Sequence, residues 1–103
     1  MPASYSVNIY PVPTPGATDE RLTVSSTALG FTTTWKDGNN KFVVLDIQDA
    51  DVMVTFDGST PTTSNGHRLY SGQSYTWHVN TADSAQFIRV SGDAIIHASP
   101  FTV

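Results

Sequence analysis

A chain of 103 residues with 39% hydrophobic content and 11% aromatics is the size of one domain and carries enough apolar surface for one core, which excludes an intrinsically disordered chain. Its formal charge of -4, with five basic residues and no Lys/Arg cluster, gives no footprint for a phosphate backbone, so direct nucleic-acid binding is not expected. The absence of cysteine excludes disulfides and thiolate-bound metals.

The 14 Thr and 11 Ser, with many Val and Tyr and a single Glu, favour strands and turns over helices. The start, Met1-Pro2-Ala3-Ser4-Tyr5-Ser6, has neither the basic region nor the apolar stretch of a signal peptide, and no apolar run is long enough to span a bilayer. Synthesis and folding in the cytoplasm, away from membranes, are therefore expected.

Residues 1–20 form an extended, Pro-rich arm, with prolines at 2, 11, 13 and 15 followed by Gly16. Tyr5, Val7, Ile9, Tyr10 and Val12 make it too apolar for a solvated linker. Two readings stay open: an edge strand docked on its own domain, or an arm packed on a neighbouring subunit.

Over 21–103, short β-prone runs alternate with turn chemistry at the spacing of a sandwich or barrel. Strands are predicted over about 21–27, 31–36, 42–48, 52–57, 74–79, 86–91 and 94–99, with one helical turn at 81–85. The expected fold is an all-β, single small β-sandwich, jelly-roll-like or immunoglobulin-like, of about seven to eight short antiparallel strands. Phe42-Val43-Val44-Leu45 is apolar on both sides and reads as a central strand. Val52, Val54 and Phe56 share one face, as do Tyr75, Trp77 and Val79, and these are the core candidates.

Gly92-Asp93 suits a two-residue hairpin turn with Gly at positive φ. Its register sets Val90 opposite Ile95 and Ile88 opposite His97, and gathers Phe87, Arg89, Ala94, Ile96 and Ala98 on the other face. With both faces partly apolar, the second is expected to be covered by another sheet, the arm or a neighbour. The candidate partner-interface residues are thus Tyr5, Val7, Ile9, Tyr10, Val12, Phe87, Arg89 and Ile96.

Catalytic patterns are missing at the level of motifs. His67, His78 and His97 show no metal-ligand spacing, and Asp37, Asp49, Asp51, Asp57, Asp83 and Asp93 sit at turns, where Asp bonds the local backbone. Asp46, in an apolar strand, is expected to pair with Lys41, Arg68 or Arg89. No nucleophile elbow, phosphate loop or EF-hand pattern occurs. A non-enzymatic chain with no cofactor and no catalytic or metal site is expected.

The stretch Val54-Thr55-Phe56-Asp57-Gly58-Ser59-Thr60-Pro61-Thr62, with Asn65-Gly66, Leu69-Tyr70-Ser71-Gly72, Phe87-Ile88-Arg89-Val90 and Ala94-Ile95-Ile96-His97-Ala98, resembles small virion structural proteins of tailed bacteriophages over residues 42–101. The resemblance implies a capsid cement (decoration) protein that binds the outside of the head and stabilises coat-subunit contacts, or a neck, tail or fibre-associated component. It further implies a homo-oligomer whose partners are the major capsid protein or other virion proteins, located in the virion after synthesis in the host cytoplasm. Asp57-Gly58-Ser59-Thr60-Pro61-Thr62 alone also resembles a loop of the immunoglobulin-like accessory domains of bacterial chitin- and sugar-degrading enzymes. That similarity keeps open a small carbohydrate-binding module with Trp35, Tyr70, Tyr75 or Trp77 as its platform.

Overall fold

Alternation and turn chemistry together produce two antiparallel sheets. The computed structural model describes residues 11–103, which form eight strands and one short helix: β1 (Val12–Pro13), β2 (Glu20–Val24), β3 (Phe42–Gln48), β4 (Val52–Thr55), β5 (His67–Leu69), β6 (Ser74–His78), α1 (Val79–Ser84), β7 (Gln86–Arg89) and β8 (Ala94–Thr102). The larger sheet runs β1-β8-β3-β6 with β2 also paired to β8, and the smaller runs β5-β4-β7. The chain is a small all-β sandwich.

The nine-residue β8 is the spine of the larger sheet. One of its edges pairs along β3, from Gln48↔Ile95 to Phe42↔Phe101. Its other edge is shared end to end by β2, which reaches Ala98, and β1, which starts at Phe101. Pro100 falls in the gap between these two partners, so its missing N–H interrupts no ladder there, and its carbonyl accepts from the Thr14 N–H at 3.0 Å.

Inward positions have period two, as strand geometry requires. Val43, Leu45 and Ile47 of β3 and Ala94, Ile96 and Ala98 of β8 are all buried, facing Val52, Val54 and Phe87 of the smaller sheet. Burial of each large aliphatic or aromatic side chain contributes about 1.5–3 kcal/mol. Tyr75 and Trp77 pack half-buried against this cluster and Val79 is buried, as their shared parity predicts. Leu29 extends the smaller sheet beyond β7 through two backbone bonds with Phe87, of 2.7 and 3.0 Å.

Three local expectations are corrected. β7 and β8 do not form a hairpin: β7 pairs with β4 and β8 with β3, so Gly92-Asp93 crosses between the sheets. Gly92 is accordingly not among the glycines with positive φ. The run 31–36 is no strand but a loop, because Asp83 captures its backbone: the Trp35 N–H donates to Oδ1 at 2.6 Å and the Lys36 N–H to Oδ2 at 2.9 Å. The stretch around His67, expected to be loop, contains β5, paired with β4 through Val52↔Leu69.

Candidate functional site

Carboxylates mark where this fold concentrates its polar chemistry, and four of them, Glu20, Asp51, Asp57 and Asp83, accept from the backbone of loops. Glu20, at the start of β2, accepts from the Thr32 and Thr33 N–H groups, each at 3.0 Å. Burial works against its ionisation, but the bonds from Thr32 and Thr33 outweigh that and hold its carboxyl below the usual range. Asp51, in the turn after β3, accepts from the Ser71 N–H at 2.7 Å and from Arg68 Nη2 at 2.7 Å. The Ser71 bond first, then Arg68, lower its pKa.

Of the three partners expected for Asp46, two are held elsewhere and Lys41 makes no ion pair among the described residues. Arg68 belongs to Asp51 and Arg89 to Asp93, at 2.5 Å, while Asp46 accepts from the Ser74 hydroxyl at 2.5 Å on the neighbouring strand. The histidines lie on separate strands: His67 on β5, His78 as the N-cap of α1, and His97 on β8 with Nε2 3.0 Å from Asp19. Among the described residues no group of three His, Cys, Asp or Glu is placed to hold a metal ion, and no helix is long and apolar enough to cross a membrane.

The proposed aromatic platform does not form as a surface. Trp35 is only 1% exposed, its ring edge-on to Phe31 at 5.7 Å. Trp77 stacks on Phe87 at 6.0 Å with planes 3° apart, and Tyr75 is half-buried, its hydroxyl accepting the Tyr70 N–H at 3.0 Å. Only Tyr70 is well exposed, with the Arg68 guanidinium 5.5 Å from its ring centre.

The partner-interface candidates separate into three groups. Phe87 and Ile96 are fully buried inside the sandwich and are corrected to core residues, because the face that gathers them packs on the opposite sheet. Arg89 is half-buried and paired with Asp93. Val12 is 46% exposed on β1, and Tyr5, Val7, Ile9 and Tyr10 lie outside the described residues.

The remaining surface apolarity gathers near β1. The only exposed large hydrophobics among the described residues are Val12, Tyr70 and Val103. Val12 pairs with Thr102 and so shares that residue's face of the sheet, whereas Val103 and the half-buried Phe101 and Phe42, paired across β8 and β3, lie on the outward face. The residues 11–19 contribute no buried side chain; the hydrophobic core begins at Leu22. Exposed or half-buried apolar residues thus lie on both faces of this end of the larger sheet.

Residue patterns could have exposed part of this. Glu20 is the chain's single glutamate and stands at a strand start, yet nothing in its neighbourhood announces the Thr32-Thr33 backbone as its partner. No known protein family matches the chain, and neither a curated protein nor a solved structure does.

Proposed function

We propose that this chain is a non-enzymatic virion structural protein, most specifically a cement protein that binds the outside of a tailed-phage head and ties neighbouring coat subunits together. The observation that carries the reading is the incompletely buried apolar residues at this end of the larger sheet, Val12 on one face and Phe42, Phe101 and Val103 on the other, next to a segment that adds no buried side chain between residues 11 and 19. A side chain that does not stabilise its own domain is free to stabilise a joint. Tyr5, Val7, Ile9 and Tyr10 add further apolar residues to the same segment of the sequence, and exposed apolar groups favour contact with a neighbour. The resemblance over residues 42–101 supports the same class.

Each arm's gain is offset by ordering the backbone, so the arrangement favours many copies on a repetitive surface, where linked contacts act together. The test is quantitative mass spectrometry of density-gradient fractions of phage particles that carry the gene. Co-migration with coat protein in multiple copies per head is the expected result. Recovery of the chain only as free protein at the top of the gradient contradicts the proposal, and recovery with tails alone moves it from head to tail.

A further inference from the structure

On the smaller sheet, the end of β4 and the start of β5 border a cleft of ≈ 520 Å³, within the roughly 300–1,000 Å³ range of small-molecule sites. Its geometry follows from one backbone contact. Gly66, at φ +142, lies so close to β4 that a Cβ there would stand 2.8 Å from the Val54 carbonyl oxygen. Only glycine allows that approach, which brings His67 beside Phe56.

The Phe56 and His67 rings are 5.5 Å apart with planes inclined by 31°. Phe56 is braced from behind by the edge of Trp77 at 5.1 Å, and Trp77 stacks on the buried Phe87. The aromatic wall is therefore anchored in the core and loses little freedom on contact.

One group of the polar rim, the Asp57 carboxylate, is also fixed. Asp57 Oδ1 accepts from the Ser59 N–H at 3.0 Å and from the Ser59 hydroxyl at 2.6 Å, and these bonds hold its carboxyl below the usual range. Oδ2 has no hydrogen-bond partner among the described residues. Asn65 is held by backbone bonds with Thr62 of 3.0 and 3.3 Å, and its amide, like the His67 ring, makes no side-chain hydrogen bond among them.

This set of groups discriminates between ligand chemistries. No Lys or Arg lines the cleft, so a phosphate or carboxylate would find neither side chain there to offset the repulsion of Asp57. The described residues offer no three-ligand cation site. A wholly apolar ligand would strip water from Asp57 and Asn65 and return no hydrogen bond. A ring with one C–H face and several adjacent hydroxyls satisfies all of them, since each hydroxyl both donates and accepts.

We propose that this cleft binds a neutral saccharide, with the C–H face of a sugar ring on Phe56 and His67 and its hydroxyls bonded to Asp57 Oδ2, the Asn65 amide and the His67 ring. The inference is independent of the arm and of the virion role, and it moves sugar recognition from Trp35, Tyr75 and Trp77 to a different part of the fold.

The test is a chemical-shift titration of the full-length ¹⁵N-labelled chain with glucose, galactose, mannose and N-acetylglucosamine, and with ethanolamine and glucose 6-phosphate as charged controls. At least one neutral sugar is expected to give saturable shifts at Phe56, Asn65, Gly66 and His67 with a Kd of about 1–10 mM. Asn65→Ala and His67→Ala change exposed side chains, keep the melting point, and weaken that binding by about tenfold or more. No saturable shift in the cleft up to about 100 mM of any neutral sugar, equal binding by both variants, or binding of a charged control alone overturns the proposal.

Discussion

Gly66 and Gly92 respond to substitution in opposite ways, although both stand beside β strands. A Cβ on Gly66 meets the Val54 carbonyl at 2.8 Å and the residue sits at φ +142, so Gly66→Ala is expected to cost about 1–3 kcal/mol. At Gly92 the nearest atom to a Cβ is the Ala50 methyl at 3.8 Å, an ordinary contact, and Gly92→Ala should stay within about 0.5 kcal/mol of the parent. Urea denaturation of the two variants checks both values, and a reversed order contradicts the sheet assignment. The Gly92-Asp93 pair looked like a hairpin because local turn chemistry cannot report which sheet each flanking strand joins. Both strands were legible from their alternation; their partners depended on contacts distant in sequence.

Loops in this protein are held to strands and helix by single carboxylates, and that is the feature least visible in the sequence. Asp83 on α1 fixes the loop that carries Trp35 into the core, so Asp83→Ala should destabilise by about 1–3 kcal/mol through two lost charge-assisted bonds. A chemical denaturation midpoint equal to the parent's contradicts that role. The pH dependence follows from Glu20, Asp51 and Asp57, whose folded-state pKa values are all lowered. Their contribution is complete above the ordinary values of 4.5 for Glu and 3.8 for Asp, and it is lost as pH falls from there through the lowered folded values. Melting points should therefore be level from pH 7 to about pH 5 and fall below it, with a shallower fall in Glu20→Gln. A steep loss already between pH 7 and 5 contradicts this assignment. The element pattern itself was readable where hydrophobic alternation was long: β3 matches its predicted bounds at 42–48, and the helical turn at 81–85 corresponds to α1 at Val79–Ser84. The three-residue β5 was hidden because His67 and Arg68 are polar and exposed, and the 31–36 loop was mistaken for a strand because Phe31, its threonines and Trp35 have β propensity that the Asp83 bonds override.

At the scale of the whole molecule, the described residues form a sandwich in which residues 11–19 bury no side chain, although β1 pairs with β8. Every buried side chain among the described residues lies between Leu22 and Pro100, so truncating residues before 11 and truncating the core have different consequences. Phe87→Ala, at the centre of the aromatic array, should cost about 3–5 kcal/mol, a large share of the stability of a domain this size. Removing residues 1–10 should cost little stability and should remove assembly. The most direct measurement compares the full chain with residues 11–103 by sedimentation velocity and thermal melting under one set of conditions. The account predicts a cooperative melt for the shortened chain within about 4 °C of the parent, and a single monomeric boundary where the full chain sediments as a larger species. It is contradicted by a shortened chain that no longer folds, by one that assembles like the parent, or by a full chain that is itself monomeric at every concentration.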